Sequence, residues 1–183
     1  MMKYVTGKRK HSGYQDLYRD GRVIARGGRD CASRYAAIAP ALEARLGRGF
    51  TVCDVGGRDG YFPARLLHEG YASAATIVDS YAGDFEGITH LRQKYRPGDQ
   101  IGTFNAILCL SVLHHVKDWR AVYEGLREHC RWLVVELPAP TERVRWASEL
   151  NAHIPAEGEL LGHAPNLGGK VQRPTYIVRG RLL

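Results

Sequence analysis

The chain has 183 residues, 44% of them hydrophobic, and a formal net charge of +7. That length suits one domain with a sizeable core, and no apolar run approaches the roughly 20 residues a membrane span needs. Four scattered cysteines, Cys31, Cys53, Cys109 and Cys130, make no CxxC pair, which argues against a zinc site or a disulfide framework and for a reducing cytoplasm.

The charge is unevenly placed. Residues 1–50 hold 11 Lys and Arg against 4 Asp and Glu, while residues 51–183 hold 15 of each. All of the excess therefore sits at the N-terminal end. A basic arm beside a neutral domain steers anionic partners, nucleic acid or phosphorylated sugars among them, or is simply a solvated surface. The opening stretch, MMKYVTGKRKHSGY, has no apolar segment behind it and does not read as a secretory signal.

Taken in order, DGRVIARGGRD reads as a short strand or hairpin rim, and CASRYAAIAPALEARLG as a helix that Pro40 kinks and Gly47 ends. FTVCDVG is a strand, followed by a glycine turn and the helix YFPARLLHEG. AATIVDS is a second strand ending in an aspartate, Asp79. GITHLRQKY is ambiguous, its first half a possible third strand. FNAILCLSVL is a near-continuous apolar run, as in a strand buried on both faces of a parallel sheet. DWRAVYEGLREHC is an amphipathic helix with Asp118 at its N-cap position. RWLVVELP is another buried strand, TERVRWASELNAHI a helix capped by Thr141, and RPTYIVRGRLL a closing, antiparallel strand. The glycine-rich stretch before that strand reads as a loop over the C-terminal edge of the sheet or beside it.

Strands alternating with helices imply an α/β fold, a doubly wound, mostly parallel sheet with a shortened C-terminal part. The expected organisation is a single domain: residues 1–30 a basic arm or lid, 31–137 a ligand-binding core, and 138–183 a helix, loop and closing strand. Ligands in such sheets bind beyond the C-terminal strand ends, where the strand order reverses. Asp54, Asp79, Ser111 and Glu136 all fall at predicted C-terminal strand ends.

The turn TVCDVGGRDGYF decides the ligand class. A dinucleotide fingerprint starting at Gly56 requires glycine at positions 58 and 61, which are Arg58 and Tyr61, so an NAD site fails by spacing. Asp54 points the same way, because a carboxylate before the turn repels pyrophosphate and attracts ammonium or sulfonium.

The pattern D-x-G-x-x-x-G, made by Asp54, Gly56 and Gly60, resembles the glycine-rich loop of class I S-adenosylmethionine-dependent methyltransferases. The resemblance implies that this loop, with Gly57 and Arg58, wraps the methionyl part of the cofactor. It implies that Asp79, with Ser80 beside it, holds the ribose hydroxyls. Arg58 departs from the family, which commonly has glycine there. FNAILCLSVLHHVKDW is similar to the same family's fourth strand and following turn. By that resemblance Leu110 and Ser111 flank the adenine or sulfonium region, and His114 and His115 lie near the methyl-transfer pocket. A neutral imidazole there can accept a proton from the attacking hydroxyl or amine, although either histidine serves equally well as a packed or capping residue. Together the motifs span residues 50–137.

Outside that span the candidates concern the acceptor. Tyr14, Arg29 and Arg34 mix aromatic and cationic groups that suit a stacked or phosphorylated substrate, or the cofactor carboxylate. Asn166, Lys170 and Arg173 are candidate contacts from the other end. Glu136 either faces the pocket or pairs with an arginine, and Asp118 and Trp119 read as cap and core. The expected activity is methyl transfer to an oxygen or nitrogen of a small-molecule acceptor, with no metal. A nucleic-acid acceptor reached by the basic arm, or a non-catalytic module that keeps the fold, are the alternatives.

Overall fold

A computed structural model of the chain describes residues 13–81, 86–167 and 169–182. Most of the basic opening stretch, residues 1–12, lies outside the described residues. The elements run β1 (Leu17–Arg19), β2 (Arg22–Ala25), α1 (Cys31–Leu46), β3 (Phe50–Val55), α2 (Tyr61–His68), β4 (Ala72–Val78), β5 (Thr89–Leu91), β6 (Phe104–Leu110), α3 (Trp119–Glu128), β7 (Cys130–Glu136), α4 (Ala147–His153), β8 (Gly158–Pro165) and β9 (Gln172–Arg179). Short 3-10 turns cover Leu113–His115 and Ile154–Ala156.

Among the described residues one sheet has seven strands in the order β5-β4-β3-β6-β7-β9-β8, and β1 and β2 form a separate hairpin. Strands β5, β4, β3, β6 and β7 are parallel, and β9 and β8 are antiparallel. The chain builds outward from β3 to β4 and β5, then returns to place β6 on the other side of β3. That reversal opens a crevice at the C-terminal ends of β3 and β6.

The two-residue period of the strands sorts the core into two layers. Cys53, Val55, Ile107, Cys109, Leu133 and Val135 face one side with Trp119, Val122, Tyr123 and Leu126 of α3. Val52, Ala106, Leu108 and Val134 face the other, with Tyr35, Ile38, Ala39 and Leu42 of α1 and Phe62 and Leu66 of α2. Both helix sets recur at i, i+3, i+4 and i+7, the stripe that seats a helix on a sheet. Each such side chain contributes roughly 1.5–3 kcal/mol on burial. Pro40 lies inside α1 on its exposed side, and Asp30 caps the helix by accepting from the Ser33 amide at 2.9 Å. All four cysteines are free and buried.

Three expectations need correction. The glycine-bearing segment before the last strand is not a loop: Gly158–Pro165 is a strand paired antiparallel with β9, and among the described residues of that segment only 166, 167 and 169–171 lie outside the strands. Its glycines sit at the strand start and at a register shift between Leu160 and Gly162, where a bulge accommodates the missing side chain. The helix expected from Thr141 begins only at Ala147. Trp146 takes a left-handed conformation with φ 65°, which no helix interior allows, so Thr141 caps nothing. The strand–helix alternation also lapses. Among the described residues no helix joins β4 to β5 or β5 to β6, because Pro97, Gly98 and Gly102 crowd the latter link. Asp118 does stand at the N-cap of α3, but its side chain makes no capping bond.

Candidate functional site

The crevice at the reversal point is a cleft of 670 Å³. It draws its walls from the glycine turn, the ends of β4 and β6, the 3-10 turn after β6, and the link after β5. Of the candidates from the sequence, Tyr14, Gly56, Arg58, Asp79, Ser80, Leu110, Ser111 and His115 line it. Gln93, Lys94, Tyr95, Arg96, Val112, Val116, Lys117 and Val122 line it as well and were missed. The link that carries residues 93–96 has no helical or strand pattern to place it, and nothing local in the sequence marks it as a wall.

The turn is built by close packing. Gly56 has φ +79°, and a Cβ there would stand 2.6 Å from Cγ2 of Val112. A Cβ on Gly57 would stand 2.8 Å from the Asp54 carboxylate. Gly60 enters α2 with φ 69° and donates its amide to the Gly57 carbonyl at 2.8 Å. Only glycine permits the first two approaches. Arg58 tolerates a left-handed φ of 39°, and its amide donates to Oδ2 of Asp79 at 3.1 Å. The Tyr81 amide donates to Oδ1 of Asp79 at 2.7 Å. The carboxylate is thus fixed at the mouth of β4 with lone pairs left over.

Asp54 is placed differently from the direct contact expected of it. It shares the sheet face of Val52 and lies beneath the turn, 1% exposed, with Oδ2 lacking a hydrogen-bond partner. Burial, and then the neighbouring Asp79 charge, push its carboxyl up to about 7 against the pull of Arg34. Asp54 shapes the turn from below, whereas Asp79 meets the cleft.

The two histidines also divide. His115 stands at the cleft and His114 is buried behind it, their ring centres 4.0 Å apart. Burial, then the neighbouring His115 and Arg173, lower His114 to about 3. Burial and Arg173 lower His115 in the same direction. His114 therefore remains neutral, with Nδ1 lacking a partner.

Three arginines expected at the substrate are held inside the protein. Arg29 and Glu136 are 1% and 0% exposed and form an ion pair through Nη2 and Oε1. Ser111, at φ 62°, donates its hydroxyl to the same Glu136 oxygen. Ser111 Oγ accepts from Arg29 and from Arg173, each at 3.0 Å. Arg34 reaches Oε2 of Glu136 at 3.4 Å and stacks over Phe62. Arg173 grips Glu142 with Nε and Nη2, both at 2.8 Å, a bidentate fork. Burial would raise Glu142, but the Arg173 fork, the Ala139 amide and Asn166 outweigh it and hold the carboxyl at about 2. Asn166 is used in that cluster too, and its Oδ1 accepts from the Lys170 amide at 3.1 Å. Glu136 thus pairs with arginines rather than facing the pocket. Arg29, Arg34 and Arg173 tie the N-terminal segment and β9 to the floor beneath the cleft. From this floor Tyr14 rises into the cleft, its ring 5.8 Å from the Arg29 guanidinium and 5.3 Å from that of Arg58.

A family model described as a methyltransferase domain matches residues 25–165. The chain belongs to this family, the class I S-adenosylmethionine-dependent methyltransferases. Solved structures agree on the fold of the chain. The bifunctional kinase-methyltransferase WbdD superposes with a TM-score of 0.64 at 21% identity, over 86% of this chain and 41% of its own. The N-methyltransferase NodS from Bradyrhizobium japonicum WM9, in complex with S-adenosylhomocysteine, gives 0.63 at 13% identity, over 82% and 87%. Magnesium protoporphyrin IX methyltransferase from Synechocystis PCC 6803, with bound S-adenosylmethionine, gives 0.60 at 16%, over 81% and 79%. The chain spans less than half of the length of WbdD. No curated protein matches the sequence. Among the described residues no helix is long and apolar enough to cross a membrane.

Proposed function

We propose that the cleft binds S-adenosylmethionine and that the protein moves its methyl group to an oxygen or nitrogen of a small-molecule acceptor. One observation carries this reading: the glycine turn closes on Asp79, through the Arg58 amide, at the mouth of the cleft. The residues present fit the cofactor. The volume is in the range of small-molecule sites, about 300–1,000 Å³. Asp79 offers a carboxylate for a cis-diol, and Val55, Val78, Leu110 and Val112 offer apolar walls for a base. When bound, the sulfonium supplies an electrophilic methyl group. The chain's part is to orient the nucleophile in line and exclude water, effects that can lower such a barrier by about 7–11 kcal/mol. Among the described residues that line the cleft His115 is the one imidazole, and Tyr14 stands on the N-terminal side.

Small-molecule acceptors are supported by the names of the structural neighbours, which include a porphyrin methyltransferase and a toxoflavin N1-methyltransferase. The basic N-terminal segment gives a nucleic acid less than its charge suggests. Arg29 and Arg34 are used beneath the cleft, Arg26 pairs with Asp16, Arg45 with Glu159 and Arg48 with Glu43. Four free, buried thiols suit the reducing cytoplasm.

Calorimetry with S-adenosylhomocysteine tests the reading. Saturable binding that Asp79→Ala weakens about tenfold or more is expected. No binding, or an alanine variant indistinguishable from wild type, refutes it. Binding without methyl transfer to any member of a broad acceptor set would point to a module that has lost its reaction.

A further inference from the structure

The cleft carries more positive charge than its cofactor requires. Arg58, Lys94, Arg96 and Lys117 all line it, and Asp79 is the one carboxylate among its described lining residues. The four cations come from three separate stretches: the glycine turn, the link after β5, and the turn after the histidine pair. Among the described residues none of the four faces a carboxylate in an ion pair, although the Arg58 guanidinium lies over the rings of Tyr14 and Tyr81. Elsewhere in the molecule several arginines are used. Arg29, Arg34, Arg45, Arg48, Arg65, Arg127, Arg173 and Arg181 each face a carboxylate. Four cations without a carboxylate partner thus stand together around one cleft.

The single carboxylate of S-adenosylmethionine accounts for one of them at most. The cofactor bears a sulfonium and an ammonium against that one carboxylate, a net positive charge, and a cationic rim repels it. The rim makes sense if a second ligand brings negative charge. We propose, building on the reading above, that the acceptor is an oxyanion, a phosphate ester or a carboxylate, held by Arg58 and Lys117 and methylated on its charged oxygen.

The chemistry is self-consistent. A lone pair of the anionic oxygen forms the new O–CH3 bond as the S–CH3 bond breaks, and that bonding pair stays on sulfur. The sulfonium becomes a neutral thioether and the acceptor loses one negative charge. No proton moves, so no general base is needed. The surroundings agree, since burial and Arg173 have made both histidines weaker bases than free imidazole. Opposite charges also vanish as the reaction proceeds, so the rim favours assembly of the pair and releases the product ester more readily than the substrate.

The test uses protein saturated with S-adenosylhomocysteine, so that failure of the cofactor reading is seen first. Protein that takes up no S-adenosylhomocysteine sinks both readings. With it loaded, inorganic phosphate and acetate are titrated separately by calorimetry. Saturable binding of at least one is expected, weakened about tenfold in the Arg58→Gln/Lys117→Gln variant, and weakened also in Lys117→Gln alone, whose affinity for S-adenosylhomocysteine stays within about threefold. Preference for phosphate or for acetate assigns the acceptor to phosphate esters or to carboxylates. With S-adenosylmethionine, a panel of sugar phosphates, carboxylic acids, amines and neutral alcohols completes the test. A methyl ester as product, formed at a rate flat across neutral pH, supports the proposal. Absence of anion binding to the loaded wild type, or methylation of an amine or neutral alcohol alone, overturns it.

Discussion

The two sides of the cleft are built on opposite plans. On the β3–β4 side, backbone does the work: glycines at 56 and 57 let the chain pass within contact distance of Val112 and Asp54, and amides of Arg58 and Tyr81 hold one carboxylate. On the β6–β7 side, side chains do it: Glu136 and Ser111 gather guanidiniums from positions 29, 34 and 173. The first side is local in sequence and open to a ligand. The second joins residues up to 107 positions apart and is sealed from solvent. A site of this kind divides its labour, with recognition at the backbone turn and rigidity in a buried ionic floor.

The contrast is most sharply tested at Glu136. Glu136→Ala leaves three guanidiniums without their shared carboxylate, two of them fully buried, and a loss of about 3–5 kcal/mol is expected, read by urea unfolding. A loss below about 1 kcal/mol would show that the floor is not the support described. Asp54, which lies between the two sides, comes next and acts through pH. Its folded value of about 7 stands above the ordinary 3.8, so the fold holds a proton that the unfolded chain releases. Its contribution to stability is complete below pH 3.8 and is lost as pH rises through 7. Between those limits it gives a slope of at most about 1.4 kcal/mol per pH unit. Asp54→Asn removes this component, and an unaltered pH–stability curve would contradict the placement.

On the turn side the effects are smaller and of two kinds. Gly56→Ala meets both an unfavourable φ and Val112, and about 1–3 kcal/mol of stability is expected to go. Val112→Ala in the same chain restores the part due to contact and not the part due to backbone. Full restoration would show that the left-handed conformation carries no cost. Asp79→Ala is expected to change stability by less than about 1 kcal/mol while weakening S-adenosylhomocysteine, the reverse of Glu136→Ala. If both variants behaved alike in both assays, the division of labour would be wrong.

The same division explains what the sequence made legible. Gly56, Gly60 and Asp79 were readable because a turn and the strand after it fall within one short window, and the strands β3, β4, β6 and β7 because each is a dense apolar run. Glu136 with Arg29 was readable only as an unspecified arginine pairing, since no local pattern links residues 107 positions apart. Strand β8 was hidden by glycines at its start and at its bulge, and the late start of α4 by a left-handed Trp146 that no propensity foretells. The cations at 94, 96 and 117 lay in links without periodicity, and their convergence required the fold.

Cys31, Cys53, Cys109 and Cys130 are each at most 1% exposed, and they are shared between the layers on the two sides of the sheet. Nature has thus supplied the molecule with an internal reporter of its own breathing. A thiol reagent in solution reaches these sulfurs only when a layer parts, so labelling kinetics read how often each side of the sheet opens. A ligand that clamps the cleft shut slows that chemistry in step with its occupancy, which makes four buried side chains a built-in gauge of whatever the cleft binds.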